Sequence, residues 1–239
     1  MQPNADSTMS RKLTLSFDNG PTPGVTEGVL DELAQRGILA TFFVVGRDLQ
    51  RDGRRQLVQK AKDAGHWIGN HTMTHSVQFG TSADPGLPAA EITAAQEVLG
   101  DLAEDTKLFR PWGNGGILGP DVFSTAAIDL MKRDCYTCVL WNSIPRDWED
   151  AAGWADRALA DVLAQEWTVV VVHDIPGGAM DHLGSFLDRV LDEGVEIVQE
   201  FPDACVPIRG GSVNGDLRYL TTDVASTDAA SADAIDKKE

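Results

Sequence analysis

The sequence predicts an α/β fold in which about seven parallel strands form a closed or nearly closed barrel. Strand-like and helix-like segments alternate over residues 11–200, which is the pattern of βαβ units in a parallel sheet. Residues 38–45 and 167–173 are almost continuously apolar, as expected of strands buried on both faces. About six helices separate these strands, and that ratio favours a barrel over an open sheet.

The elements follow one another with clear boundaries. Residues 11–17 predict the first strand, residues 25–36 an amphipathic helix that ends at Gly37, and residues 38–45 the second strand. The other predicted strands cover residues 66–69, 108–109, 136–142, 167–173 and 196–198. The other predicted helices cover residues 55–64, 89–102, 120–132, 154–166 and 183–193, and residues 80–88 predict a loop.

The domain organisation is simple. Residues 11–210 are expected to form one domain, which is long enough to bury a full core. Residues 1–10 predict a disordered arm, and residues 211–239, rich in Ala, Ser, Thr and Asp towards the end, predict a mostly disordered acidic tail.

Charge and composition exclude several classes of partner. The net charge of −17 argues against a nucleic-acid partner or an anionic membrane surface. No apolar run reaches the roughly 18 residues of a membrane span, and the first ten residues lack the basic and apolar regions of a signal peptide, so we expect a cytoplasmic protein. Cys135 and Cys138 have no second pair and are expected to be thiols beside a buried strand rather than a zinc or redox site. The sequence sets no oligomeric state.

Side chains that could take part in catalysis or ligand binding follow the predicted strands. They are Asp18, Asn19, His71, His75, Arg110, Asp147, Trp148, His173 and Asp174. Because the carboxyl ends of parallel barrel strands open on one face, these groups should converge on one site. His66 and His182 stand apart from this group and are expected to be structural.

The spacing of two histidines indicates a metal site. His71 and His75 are four residues apart, so one helical turn would place both imidazoles on one face. With an oxygen ligand from the Asp18 loop, such a pair suits zinc, cobalt or nickel. Two structural alternatives remain: Asp18 as a cap of the first helix, and His173 as a satisfied core histidine.

These residues also stand in sequence motifs that resemble those of the polysaccharide deacetylase family (the NodB-homology domain, carbohydrate esterase family 4). The motifs, in chain order over residues 13–200, are SFDNGP at 16–21, ATFFVVG at 40–46, NHTMTH at 70–75, FRPWG at 109–113, RDW at 146–148 and VVVH at 170–173. Their order makes the resemblance far more specific than any single motif.

The resemblance implies a fold and a set of roles. The fold would be a distorted (β/α)7 barrel of the NodB-homology type, with Asn19, His71 and His75 matching the ligands of a divalent metal, most simply zinc, with cobalt or nickel as alternatives. Asp18 matches the catalytic base, Arg110 the residue that keeps it ionised, and His173 the general acid. Asp147 or Asp174 would tune the pKa of that acid. Trp112 and Trp148 would contact the substrate.

Three positions depart from the family pattern. Asn19 replaces an aspartate that is normally the third metal ligand, which removes one negative charge. The Arg110 motif is one residue shorter than the commonest form, and Ile144 occupies the place of the first aspartate of the motif D-x-x-D-W. These departures bear on activity and substrate more than on fold.

Three functions are consistent with the sequence. The first is a metal-dependent N-deacetylase of N-acetylated carbohydrates, of the chitooligosaccharide or peptidoglycan type. The second is a hydrolase of small amides or imides, like the allantoinase-like and cyclic imidase-like branches of the family. The third is a non-catalytic sugar-binding member.

Overall fold

A computed structural model describes residues 10–221, in which strands and helices alternate as the sequence predicts. The strands are β1 (Lys12–Asp18), β2 (Thr41–Val44), β3 (Trp67–Asn70), β4 (Leu108–Phe109), β5 (Thr137–Cys138), β6 (Trp167–His173), β7 (Glu196–Ile197), β8 (Ile208–Arg209) and β9 (Ser212–Val213). The α-helices are α1 (Thr26–Arg36), α2 (Gly46–Leu49), α3 (Arg54–Asp63), α4 (Ala94–Leu99), α5 (Thr125–Arg133), α6 (Trp154–Ala164) and α7 (Leu183–Asp192).

Strand β1 is the centre of a mostly parallel sheet that closes on itself. It pairs with β6 along its whole length and, on its other side, with β7 near its start and with β2 near its end. The sheet continues in parallel from β2 through β3 and β4 to β5. A parallel bridge between Ser143 and Val170 then joins the segment after β5 to β6. The prediction of a distorted (β/α)7 barrel is therefore confirmed.

The antiparallel strands β8 and β9 extend the sheet beyond β5. After them Leu220 is fully buried and Thr221 forms a bridge with Phe123. The expected domain boundary at residue 210 thus falls inside a packed segment. The remainder of the predicted arm and tail, residues 1–9 and 222–239, lies outside the described residues.

Several predicted elements differ in length from those observed. The predicted helix over 89–102 consists of a π-helical turn (Ala89–Thr93), α4 and a 3₁₀ turn (Gly100–Leu102). The helix expected from residue 120 begins at Thr125, because the Ser124 hydroxyl accepts a hydrogen bond from the Ala127 amide and so caps it. The predicted strand over 136–142 pairs regularly only at Thr137–Cys138.

Alternation along β1 separates the core from the barrel interior. Leu13, Leu15 and Phe17 join a large apolar cluster with residues of α1, α6 and α7. Ser16 and Asp18 point to the opposite face of the strand, since successive side chains alternate. The register places Asp18 beside His173 at the ends of β1 and β6, so both side chains reach the same end of the barrel.

Candidate active site

A cavity of about 330 Å³ opens at the carboxyl ends of the parallel strands. Its lining includes seven of the nine predicted site residues: Asp18, Asn19, His71, His75, Trp112, Trp148 and His173. The other two, Arg110 and Asp147, are buried behind this lining, where each contacts one of its members. The structure therefore brings these nine residues together, whereas Asp174, the tenth candidate, does not line the cavity.

Asp18 forms a buried ion pair with Arg110. Nη1 of Arg110 donates to Oδ1 of Asp18 at 2.8 Å and to the Ser16 hydroxyl at 2.7 Å. Burial raises the pKa of Asp18, but the charges of Arg110, His71 and His173 outweigh it and hold that pKa below its ordinary value. Asp18 caps no helix: α1 begins after Val25 without a side-chain cap.

His173 is held by Asp147 through two contacts. The backbone amide of His173 donates to Oδ2 of Asp147 at 2.9 Å, and its ring Nδ1 lies 2.8 Å from Oδ1. Burial lowers the pKa of His173, but the hydrogen bond to Asp147 and the charge of Asp147 raise it. These two effects together outweigh burial, so the pKa of His173 lies above its ordinary value. Because the carboxylate can only accept, Nδ1 carries the proton and Nε2 is left for the cavity. Asp147 thus supplies a carboxylate partner despite Ile144 in the preceding motif position.

His71 is also fixed in one tautomer. Its Nδ1 lies 2.9 Å from the carbonyl oxygen of Arg110, so this nitrogen donates and Nε2 keeps a free lone pair. Nε2 is 3.5 Å from Oδ2 of Asp18. Burial lowers the pKa of His71, which favours the neutral form that a metal requires.

His75 faces His71 with a ring-centroid separation of 4.7 Å. Burial, and then the proximity of His71, lowers the pKa of His75 to about 3. The two rings do not project from a helix, as the spacing predicted, because residues 71–75 form a bend. Thr72 and His75 have φ angles of 65° and 51°, and this irregular turn brings the second ring back to the first.

Asn19 provides an oxygen at the same site. Its φ is 73°, a left-handed conformation that asparagine tolerates well. Its Oδ1 is buried and has no hydrogen-bond partner among the described residues. Residues 10–221 contain no group of three or more His, Cys, Asp or Glu side chains arranged to hold a metal. The donor set that fits a divalent ion is therefore two neutral imidazoles and one amide oxygen, a chemically suitable combination.

Tryptophans surround the cavity. The Trp112 ring lies 5.6 Å from that of His75, and the Trp148 ring meets that of His173 edge-on at 5.0 Å. Trp148 is 40% exposed, so one face of its ring is open to a ligand. Aromatic rings in this position can pack against the apolar face of an organic ligand.

Some residues of the site escaped sequence reasoning. Trp141 lines the cavity and donates from Nε1 to the carbonyl oxygen of Gly116, which fixes the glycine-rich wall at residues 113–116. Ile144 packs against Gly116 and lines the same wall. Asp174, in contrast, is a candidate from the sequence. It forms no hydrogen bond with His173 among the described residues, although its charge contributes to the raised pKa of that histidine. Its Oδ2 accepts from the Thr26 hydroxyl, and burial raises its pKa to about 7. The sequence held no periodic signal for these contacts.

Two groups of residues named by the sequence lie outside the cavity. His66 accepts a hydrogen bond at Nδ1 from the Ala40 amide and packs on Phe42, which is a structural role. Cys135 and Cys138 are free thiols on either side of residues 136–137, and Cys138 is buried. None of the helices in residues 10–221 combines the length and apolar character that crossing a bilayer requires.

Comparison with known proteins agrees with this architecture. The sequence profile of the family described as polysaccharide deacetylase matches residues 5–117. A peptidoglycan-N-acetylglucosamine deacetylase of Bacillus cereus is 34% identical over 166 residues, covering 68% of this chain and 72% of the relative. A chitooligosaccharide deacetylase of Bradyrhizobium sp. is 31% identical over 171 residues, covering 71% of this chain and 73% of the relative.

Solved structures show the same fold. The Bc1960 peptidoglycan N-acetylglucosamine deacetylase, in complex with 4-naphthalen-1-yl-N-oxidanyl-benzamide, superposes with a TM-score of 0.66 at 26% identity, covering 78% of this chain and 85% of that one. A family 4 acetyl xylan esterase from Clostridium thermocellum, in complex with a cobalt ion, gives 0.63 at 25% identity, covering 79% and 87%. This chain belongs to the polysaccharide deacetylase family, and it is a hydrolase of carbon–nitrogen bonds other than peptide bonds.

Proposed function

We propose that this protein is a metal-dependent N-deacetylase that releases acetate from N-acetylated sugars. One observation carries the proposal: Asp18, paired with Arg110, and His173, paired with Asp147, face the same cavity as two neutral histidines. A carboxylate with a lowered pKa and an imidazole with a raised pKa are the two states that a base and an acid need at neutral pH.

Asp18 has the role of general base. Arg110 occupies Oδ1, so Oδ2, the oxygen nearer to His71, remains to accept a proton from water. Because the carboxylate is ionised at neutral pH, this proton transfer needs no prior deprotonation.

His173 has the role of general acid. Its Nδ1 proton is committed to Asp147, so Nε2 is the nitrogen that donates a proton to the departing amine. Asp147 is fully buried, so its carboxylate orients the ring and stabilises the imidazolium without itself meeting the substrate.

His71, His75 and Asn19 would hold the metal through Nε2 of His71, the His75 ring and Oδ1 of Asn19. A divalent ion bound there would polarise the acetamide carbonyl and make the attacking water more acidic. The cobalt ion in the Clostridium thermocellum esterase supports a first-row divalent metal, and two imidazoles with one oxygen suit zinc best.

The sugar preference rests on the cavity rim and on the relatives. Trp112 and Trp148 offer ring faces against which a pyranose can pack. The net charge of −17 suits a neutral glycan better than an anionic one. Both curated relatives described above bear names for sugar N-deacetylases, one of peptidoglycan and one of chitooligosaccharide.

Acetate release from the purified full chain tests this proposal. The protein is loaded with zinc or cobalt and given chitooligosaccharides, N-acetylated peptidoglycan fragments, and small amides and cyclic imides. We expect acetate from at least one sugar substrate, loss of activity with a chelator, and loss in the variant Asp18→Asn. Activity on small amides alone would instead establish the amide or imide hydrolase. Sugar binding without turnover, unchanged by Asp18→Asn, would identify a binding protein.

A further inference from the structure

The turn that carries His71 and His75 is held by local side chains and by groups from elsewhere in the chain. Oδ1 of Asn70 accepts from the Thr72 amide, and the Thr72 hydroxyl accepts from the His75 amide, both at 2.9 Å. The amides of Gly46 and Arg47, at the start of α2, donate to the carbonyl oxygens of residues 72 and 73. Thr72 and His75 both have positive φ, which is an unfavourable conformation for residues other than glycine, so this turn depends on such partners.

Glu91 contributes a charged contact to the turn. Its side chain is almost fully buried, and its Oε2 accepts from the Thr74 amide at 2.8 Å. Its Oε1 accepts from the Thr74 hydroxyl at 2.5 Å. The Thr74 hydroxyl also lies 2.6 Å from the Ser76 hydroxyl. Since Thr74 has one hydroxyl hydrogen and gives it to the carboxylate, Ser76 donates to Thr74.

The position of Glu91 in a π-helical turn explains how it reaches the histidine turn. Residues Ala89–Thr93 form this wider turn immediately before α4, and such turns leave carbonyl groups free for other partners. The Ile92 carbonyl oxygen accepts from Nδ2 of Asn70 at 2.9 Å. The π-helical turn thus contacts the histidine segment twice, through the Glu91 carboxylate and through a backbone carbonyl.

We propose that Glu91 is a positioning residue that fixes His75 opposite His71 by holding the intervening Thr74. Glu91 touches neither the cavity nor a histidine ring among the contacts described above. It acts on the backbone one residue before His75. The metal-binding consequence rests on the proposed function, whereas the conformational consequence does not.

Hydrogen exchange in the metal-free full chain tests the conformational part. In Glu91→Ala, the Thr74 amide loses its acceptor, and the turn that keeps the His75 amide on the Thr72 hydroxyl loses its anchor. We therefore expect the exchange of both amides to accelerate at least about tenfold. In Glu91→Gln, Oε1 still accepts from the Thr74 amide and the side-chain NH₂ donates to the Thr74 hydroxyl. This variant should restore most of the protection.

Cobalt binding, followed by its visible absorption spectrum, tests the metal-binding part. We expect the dissociation constant for cobalt to rise roughly 10–100-fold in Glu91→Ala, as for other groups that orient metal ligands, and to recover in Glu91→Gln. Ser124→Ala is the matched control, because it removes the cap of α5, an element that contributes nothing to the cavity. It should lower the melting temperature without changing either measurement.

The outcomes separate the two proposals. Unchanged exchange at Thr74 and His75 in Glu91→Ala would overturn the positioning role, as would a cobalt affinity within twofold of the wild type. If the wild-type protein binds no cobalt or zinc, the proposed metal site fails, and exchange alone decides the role of Glu91. Should Glu91→Ala not fold, Thr74→Val removes one of the two contacts, and faster exchange at His75 is then the supporting result.

Discussion

Nη1 of Arg110 lies 2.8 Å from Oδ1 of Asp18, and the exposed fractions of the two side chains are 0% and 5%. The guanidinium is further satisfied by the carbonyl oxygens of Val139 and Leu140 and stacks on the ring of Phe43 at 4.0 Å. Burying two charges is costly unless every donor has a partner. These contacts fix the Arg110 guanidinium in one orientation, in which it holds the ionised Asp18 in place.

We expect Arg110→Met to lower the free energy of unfolding by about 3–5 kcal/mol at pH 7, because it leaves a buried carboxylate without its cation. The loss should shrink as the pH falls towards 4, because without Arg110 burial raises the pKa of Asp18, and protonation then relieves the buried charge in the variant. In the wild type the pKa of Asp18 lies below its ordinary value, so Asp18 stays ionised over this range. Urea unfolding at both pH values measures this.

The double variant Arg110→Met, Asp18→Asn is the control for that measurement. It removes both charges and should recover part of the lost stability at pH 7. If the free energy of unfolding of Arg110→Met lies within about 0.5 kcal/mol of the wild type, the usual range for surface substitutions, the ion pair is not needed for the fold.

Asp147→Asn should move the alkaline limb of kcat/KM to lower pH. The single asparagine oxygen can accept from only one of the two His173 donors that Asp147 satisfies, the backbone amide and Nδ1, and the negative charge that raises the pKa of His173 is gone. His173 then loses its proton earlier as the pH rises, while the acid limb, set by Asp18, stays in place. Asp150→Asn, which changes an exposed carboxylate paired with Arg157, is the matched control. An unchanged alkaline limb in Asp147→Asn would contradict His173 as the general acid.

The sequence was sufficient to predict the barrel and the polar residues of the cavity because both depend on local patterns. Alternation and continuous apolar runs mark β1 and β6, and polar residues at the carboxyl ends of the strands are expected near the same opening. Gly37, with a φ of 63°, ends α1 as predicted. Even the pairing of Asp18 with His173 follows from two strands that end in register.

The conformation of the histidine turn was not predictable, because its partners lie elsewhere in the chain. A spacing of four residues indicates a helical turn, whereas Glu91 and the start of α2 hold residues 71–75 in a bend. The burial of Asp174 under Thr26 is likewise a tertiary contact between residues 148 positions apart. Neither contact leaves a periodic signal in the sequence.

Asn19→Asp should raise the affinity for zinc at least about tenfold, because a carboxylate adds a negative charge next to the bound ion. Aspartate tolerates the left-handed conformation of residue 19, so the backbone should not change. In the metal-free protein the same variant should melt at a lower temperature, since the new charge lies beside the buried Asp18. Competition titration with a zinc chelator, with thermal unfolding of both forms, measures these effects.

Asn19→Ala completes that comparison. It removes the buried Oδ1 that lacks a protein partner and should weaken zinc binding. If both substitutions leave the zinc affinity unchanged, residue 19 is not a ligand, and the ion would have to be held by the histidines with another donor.

Asp174→Asn should stabilise the protein above pH 7. The Asp174 side chain is buried, its Oδ1 has no partner among the described residues, and its pKa is raised from 3.8 to about 7. Between these two values the folded state holds a proton that the unfolded state has released, so this group makes stability fall as the pH rises. The difference between the two pKa values corresponds to a loss of at most roughly 4 kcal/mol in the free energy of unfolding.

Chemical unfolding of the wild type and of Asp174→Asn between pH 4 and pH 8 tests this assignment. Asparagine keeps the acceptor for the Thr26 hydroxyl and cannot ionise. The stability of the variant relative to the wild type should therefore increase as the pH rises. The Thr26→Val variant removes that hydroxyl, so the Asp174 carboxylate loses this hydrogen-bond donor. The free energy of unfolding of this variant should therefore fall more steeply with rising pH. If wild type and Asp174→Asn keep a constant difference across this range, Asp174 does not change its protonation there, and its carboxylate must be stabilised by a partner other than Thr26.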